Sequence, residues 1–354
     1  MKILYHMPSL SSIYAARTIY HGYKNAFIDL GHQFQAFTSG DNLKVVLENY
    51  RPDLFMTASH TYYRKFLDYS LINSFRKEGM FVLAKVDFWR SPMSKWRINE
   101  AASMQDDLQL RALMDGDQLA DAYFHVVEQG DARMDGFSSG IGRSWYTIPL
   151  AADKTLLSAR WEQKFTADIS YIGTYLADKA QFFNRNVFPL GKHYDLKIYG
   201  QDWSRTDRLL GWVQRFGQYF NISSLSSIRK PRLDLEDEAA VYTSSLVSIN
   251  VHESYQKQFG GDCNERTFKI PLCGGFQVVD NVSCISKYFK PGQEVVIGES
   301  ENDWLEKVRY YIANPSERLA IINAGRERVL KDHTYHNRVQ RILNLAKKGG
   351  KLIG

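Results

Sequence analysis

Short apolar runs alternate along this chain with longer stretches in which apolar residues recur at helical spacing. "MKILYHM", "HQFQAFTS", "PDLFMTAS", "MFVLAKVDFW", "ADAYFHVVE" and "WYTIPLAAD" read as strands. Between them, "IYAARTIYHGYKNAFIDLG" reads as a helix ending at Gly31, and "NLKVVLENY" and "FLDYSLINSFRKEG" as further helices. Strands alternating with helices predict βαβ units and a parallel sheet. The pattern then restarts. "DISYIGTY" and "YDLKIYGQDW" are strands flanking a helical "ADKAQFFNRNVFPLGKH". "LEDEAAVYTSS" is a helix whose acidic first turn suits its dipole, and "LVSINVH" is a buried strand. "FQVVD" and "EVVIG" follow, then amphipathic segments from Glu301 to His333, and a basic helix in "TYHNRVQRILNLAKK". The fold class expected is α/β, with two doubly wound parallel sheets in series and a break near "SARWEQKFTAD". Residues 1–160 form the first domain and 161–332 the second, with 333–354 a terminal helical segment.

Composition narrows the function classes a little. The 354 residues are 44% hydrophobic and 24% charged, the balance of an ordered globular chain and not a disordered one. A net charge of +6 and a pI near 9.0 favour an anionic partner: a nucleotide, a nucleic acid or an anionic lipid surface. Cys263, Cys273 and Cys284 are odd in number and lack zinc-finger spacing, so neither a disulfide framework nor a metal site is expected. "MKILYHMPS" has no apolar stretch long enough for a signal or a membrane span, and the expected location is cytoplasmic. Asp115-Gly116-Asp117 precedes a strand and reads as a polar loop before a metal motif.

The densest candidate chemistry is "NERTFKIPLCGGFQVVD", Asn264 to Asp280. Asn264 can cap a helix that starts beyond the strand "LVSINVH", and free N–H groups at such a start attract anions. Arg266 falls in the first turn and Lys269 one turn on; Gly274 and Gly275 allow a tight turn into "FQVVD", which ends on Asp280. The plain alternative is that Glu265 and Lys269, four apart, form an exposed helical ion pair of about 0.3–0.5 kcal/mol. Pro271 keeps the helix short or kinked. Gly173 and Thr174 follow the first strand of the second domain, where the backbone can approach a sugar or diphosphate or simply turn. Gly200 to Trp203 can hold a base with Trp203 stacked on it, or bury Trp203 in the core. His60 and His252 read as structural.

From Asp168 to Arg338 the order "DISYIGTY…YDLKIYGQDW…LVSINVH…NERTFKIPLCGGFQVVD…YFKPGQEVVIG…HTYHNRV" resembles the CgeB-like, spore-maturation type of group 1 glycosyltransferase. The resemblance implies the GT-B fold, two Rossmann-like domains facing across a cleft, the C-terminal one holding a nucleotide-diphosphate sugar. It implies a hexosyl- or pentosyltransferase that uses no cofactor besides that co-substrate and no metal, with retention by analogy. The terminal helix after His333, Thr334 and Tyr335 is expected to pack back on the first domain. Members carry a glutamate where this chain has Lys269, so the ribose contact differs, and a lysine there can add a second cation for the diphosphate. In "AKVDFWRSP", Asp87 ends an apolar strand beside Phe88 and Trp89, and the resemblance pairs it with Pro92. Apolar neighbours raise a carboxyl's pKa towards proton transfer, so Asp87 is the catalytic candidate; capping a loop is its alternative. Expected partners are the nucleotide-sugar and a glycan, lipid-linked or other hydroxyl acceptor. A nucleic acid with hydroxymethylated bases and a sugar-nucleotide-binding protein without turnover stay open. No compact stripe of basic and aromatic residues stands out.

Overall fold

The structure, a computed structural model, describes residues 1–10, 12–13, 15–90, 104–220 and 222–349; Pro92 lies outside them. Its strands are β1 (Lys2–His6), β2 (Gln33–Phe37), β3 (Leu54–Ala58), β4 (Phe81–Lys85), β5 (Ala122–His125), β6 (Trp145–Thr147), β7 (Ala167–Ile172), β8 (Leu196–Tyr199), β9 (Ser245–Asn250), β10 (Gln277–Asp280) and β11 (Val296–Gly298). They build two all-parallel sheets, one in the order β2-β1-β3-β4-β5-β6 and the other β11-β10-β9-β7-β8. All-parallel sheets are covered on both faces, and so β3, β5 and β10 are buried nearly throughout. Edge strands β2 and β8 are only half-buried.

The chain divides into two compact units: residues 1–10, 23–149 and 338–354, and residues 11–22 and 150–337. The division at Pro149 falls ahead of the expected 160 because the intervening segment is bonded into the second unit. Ala152 forms a bridge with Thr334, the N–H of Arg160 donates to Thr243 Oγ1 (3.1 Å), and that of Glu162 to Ser244 Oγ (2.8 Å). Helices Ala15–Asp29 and Tyr335–Lys347 each contribute residues to both units. In the first unit, Leu4, Phe55, Val82, Tyr123 and Phe137 lie at the centre of the core. The second unit has cores on either side of its sheet, one around Phe268, Val279 and Ile297, the other around Ile169, Val247, Val278 and Trp304.

The stretch read as one helix from Ala177 to His193 is instead broken into 3-10, α and π turns, with Pro189 opening the last 3-10 stretch. Asp117 sits in a positive-φ turn and pairs with Arg76 and Arg143, as a polar loop does. The three cysteines are buried and unbridged. Among the described residues no helix is long and apolar enough to cross a membrane.

Gly22 shows how tightly the second unit is filled. A Cβ there would sit 2.2 Å from the Tyr335 ring, which is fully buried and donates its hydroxyl to Glu265 (2.7 Å). Alanine would gain about 1 kcal/mol of helix propensity, but the overlap must be relieved by moving a locked ring, costing about 1–3 kcal/mol or more. Gly22→Ala is therefore expected to lower unfolding stability in urea, with the m-value unchanged.

Candidate functional site

In the second sheet β8 follows β7 in sequence but lies on one side of it, while β9 lies on the other; winding reverses between β7 and β9. Ligands of open α/β sheets bind beyond the strand ends at such a reversal. Here the Arg266 guanidinium spans the gap. Its Nη1 donates to the Ile172 carbonyl (2.9 Å), Nη2 to the Val251 carbonyl (3.0 Å) and Nε to Asn250 Oδ1 (3.2 Å). It lies over the Tyr171 ring, 5.0 Å from its centroid. Beside it, the buried Lys179 donates from Nζ to the same Val251 carbonyl (2.8 Å). Burial, and then the positive charge of Arg266, pull the Lys179 pKa down to about 7 against Glu253, Asp178 and Asp280. The buried Tyr171 hydroxyl has no hydrogen-bond partner among the described residues.

Close approach of backbone lets these groups gather. A Cβ on Gly173 would meet Arg266 Nη1 at 2.5 Å, and one on Gly200, where φ is +143°, would meet the Gly173 carbonyl at 2.2 Å. Thr174 follows, half-buried, in the same loop. Trp203 donates its indole N–H to the Gly173 carbonyl (2.9 Å) and packs against Tyr171, Tyr175 and Phe183. Its donor is thus spent on bracing the loop. Asn264 Nδ2 donates to Asn250 Oδ1 (2.9 Å), and its Oδ1 accepts the Thr267 N–H (3.3 Å) just outside the helix Arg266–Leu272. Asp280, at the end of β10, accepts the His252 backbone N–H and pairs with His252 Nδ1 at 2.6 Å. His252 is fully buried and its pKa is driven down by burial, in keeping with a structural histidine.

Other expected members lie apart. Lys269 is buried 2.8 Å from Glu238 and 3.8 Å from Glu265, so neither an exposed ion pair nor a cation beside Arg266 describes it. Glu265 also accepts the hydroxyls of Thr18 and Tyr335, and with Asp153 these side chains line a cavity of about 10 Å³, room for one water. Burial pushes the Glu265 carboxyl up, more than Lys269, Thr18 and Tyr335 hold it down. For Lys269 burial acts downward, but Glu238 and Glu265 outweigh it and the shift is upward. Gly274 and Gly275 precede β10 and so lie at the amino edge of the sheet, opposite the edge that carries Gly173. They serve the turn from helix to strand: Gly274 has φ +71°, and a Cβ on Gly275 would meet the Tyr242 carbonyl at 2.9 Å. The sequence reading missed Lys179, Asn250 and Tyr171. A lone lysine in a helical stretch reads as solvated, and nothing in its spacing says otherwise.

In the first unit, Asp87 follows β4 at the carboxyl edge, and its backbone N–H donates to Ser59 Oγ (3.0 Å) beyond β3. Burial raises its pKa, against the opposing charges of His60, Lys85 and Arg64. His60 accepts the Tyr62 N–H through Nδ1 (3.1 Å), opening the turn that carries Arg64. Among the described residues no group of three His, Cys, Asp or Glu side chains is arranged to hold a metal ion.

Residues 179–344 match the model of a family described as Glycosyl transferase-like. No curated protein matches the chain. Among solved structures, an alpha-glucosyltransferase in complex with UDP superposes with a TM-score of 0.65 at 9% identity, covering 98% of this chain and 100% of that one. A sucrose-phosphate synthase from Thermosynechococcus elongatus (TM-score 0.61, 12% identity, 98% of each chain) and a glycosyltransferase from Rickettsia africae (0.59, 12%, 99% of each) are similar in the same way. The fold is GT-B, with two Rossmann-like parallel sheets, and residues 179–344 are similar to the glycosyl transferase-like family.

Removing one member of a buried charge cluster leaves the others uncompensated, at about 3–5 kcal/mol. Lys269→Met is expected to destabilise the chain by that order at pH 7, read by urea unfolding. The sign with pH follows from the raised folded pKa of Glu265: its stabilising contribution is complete below the ordinary glutamate value and is lost as pH rises through the raised one. The deficit of the variant should therefore shrink as pH falls from 7 towards 5. A deficit that grows instead would place the carboxylates elsewhere.

Proposed function

We propose that this chain is a glycosyltransferase whose second unit binds a nucleotide-diphosphate sugar at the β7/β9 reversal and passes the sugar to an acceptor hydroxyl, that of a glycan or other cell-surface precursor. The observation that carries the reading is the pair Arg266 and Lys179, converging on the Val251 carbonyl beside Gly173. Lys179 is held near neutrality where an approaching diphosphate would restore its charge. The matched family region includes both cations. In transfer, the bond from the anomeric carbon to the diphosphate oxygen breaks, a bond to the acceptor oxygen forms, and the hydroxyl proton leaves to a base. Arg266 and Lys179 would stabilise the charge gathering on the departing diphosphate, and preorganised cations in a site shielded from water act more strongly than in bulk. Asp87 is the proposed acceptor-side group, taking the proton or orienting the hydroxyl; its upward shift favours proton transfer near neutrality. A nucleic-acid acceptor is the second reading. It draws on the alpha-glucosyltransferase neighbour in complex with UDP and a 13-mer DNA containing a HMU base (TM-score 0.61, 10% identity, 98% of this chain and 99% of that one). Transfer to such DNA but not to glycans would establish it.

Calorimetry with UDP, GDP and ADP tests the donor site. Arg266→Ala and Lys179→Met should each weaken the preferred diphosphate by about 1.5–3 kcal/mol, ten- to a hundredfold. At pH 8, binding to the wild type should take up about one proton, seen as a dependence of the heat on buffer ionisation, and Lys179→Met should abolish it. Unchanged affinity in both variants would remove the diphosphate from this edge.

Asp87→Asn keeps the shape and removes the carboxylate. It should fold normally and bind the diphosphate like the wild type, yet lose about a hundredfold or more in kcat. Near-normal turnover would mean that Asp87 merely holds its loop.

A further inference from the structure

The helix Arg205–Tyr219 is turned inside out. Its polar and glycine positions face the protein: Asp207, Gly211, Gln214 and Gly217 are buried. Asp207, Gly211 and Gln214 pack on the buried Arg229, whose guanidinium donates to Asp202 (2.8 Å), Asp207 (3.1 Å) and Gln214 (3.0 Å). A Cβ on Gly217 would meet the Leu225 side chain at 2.5 Å, so this face cannot rotate outward without losing its fit. Much of what remains for solvent is apolar, with Arg205, Thr206 and Arg215 beside it. Leu209 (65% exposed), Trp212 (66%), Phe216 (54%) and Tyr219 (61%) form one stripe, continued by Phe220 (58%). Ile222 and Ile228 extend it beyond the helix. An ordinary surface helix has the opposite polarity, and contiguous exposed apolar faces of this kind mark interaction sites.

Along the segment that carries the stripe the exposed charges are all positive. Between Trp203 and Leu233 the sole acidic residue is the buried Asp207, whereas Arg205, Lys230 and Arg232 are exposed. Arg215 lies over the Trp212 ring, 5.0 Å from its centroid. The acidic run that follows opens the next helix, where Asp237 pairs with Arg160. We propose that this face docks on an anionic lipid bilayer, its aromatic and aliphatic side chains entering the headgroup–acyl boundary and its cations meeting the headgroups. Trp, Tyr and Phe mixed with Leu and flanked by Arg and Lys is the chemistry of interfacial helices. A second copy fits less well. In a two-fold contact the patch meets itself, and its cations would face one another with no acid between. A nucleic acid would stack on the aromatic rings but offers no hydrocarbon for Leu209, Ile222 and Ile228. The proposal does not depend on sugar transfer.

Flotation of the full chain with phosphatidylcholine vesicles, with and without phosphatidylglycerol, tests it. The wild type should float with the anionic vesicles at low salt and only weakly with neutral ones. Trp212→Ala/Phe216→Ala should lose about tenfold or more in partitioning to both. Arg205→Gln/Lys230→Gln should lose about fivefold per cation on the anionic vesicles alone. Because all four side chains are exposed, the variants' melting temperatures should match that of the wild type. Absence of wild-type binding, or full binding by the aromatic variant, would overturn the proposal. So would a wild-type dimer in light scattering that the aromatic variant breaks, without vesicle binding, or stronger retention of a single-stranded oligonucleotide than of vesicles.

Discussion

Where the winding of the second sheet reverses, the carbonyls of Ile172 and Val251 end strands whose following loops part, and one guanidinium satisfies both. A buried carbonyl left without a donor costs about 1–3 kcal/mol, so Arg266 stabilises the very edge it charges. The rest of the edge follows from its bulk. The planar fork needs a residue without a Cβ at Gly173, whose carbonyl in turn crowds Gly200, and Trp203 then clamps that carbonyl from the far side. Lysine in place of Arg266 would keep the charge and lose the fork, because an ammonium cannot hold two diverging acceptors in one plane.

Two buried triads in the second unit share a design, one cation between two carboxylates: Lys269 with Glu238 and Glu265, and Arg229 with Asp202 and Asp207. Such clusters add little net stability, because desolvation offsets most of the attraction. Their consequence is register. Lys269 and Glu265 draw together Thr18, Tyr335 and the helix Leu235–Ser244, segments far apart in sequence. Arg229 fixes which face of the helix Arg205–Tyr219 turns inward, and so places the aromatic stripe outside.

Both sheets were legible because parallel strands are buried on two faces and read as short apolar runs; "PDLFMTAS" and "MFVLAKV" carry such runs, and each holds a strand. The helix Arg205–Tyr219 was not legible. Its mixture of arginine, glycine and aromatic residues fits an amphipathic pattern only if the polar face is the buried one, and that depends on Arg229, outside the helix. The break in the Ala177–Lys192 stretch was hidden for a similar reason: its apolar spacing is helical, while Pro189 and the packing of Phe183 and Trp203 set the backbone. Asp87 stood out as a candidate because an ionisable residue closing an apolar strand is visible in one dimension.

The split of "NERTFK" between two sites has a geometric cause. Successive helical residues are about 100° apart, so Glu265 and Lys269, four apart, share a face while Arg266 points elsewhere. That shared face turns to Glu238 and Tyr335; Arg266 turns to the strand ends. A cation three residues after Arg266 is therefore committed to a buried carboxylate pair before any ligand arrives. The second cation at the strand ends comes instead from Lys179, on the segment after β7 that crosses to reach the Val251 carbonyl. Sequence neighbours on a helix diverge, and the partners that converge at a strand edge come from separate connections. The edge is assembled by topology; Arg266 and the glycines it crowds are marked in the sequence, while Lys179 is not.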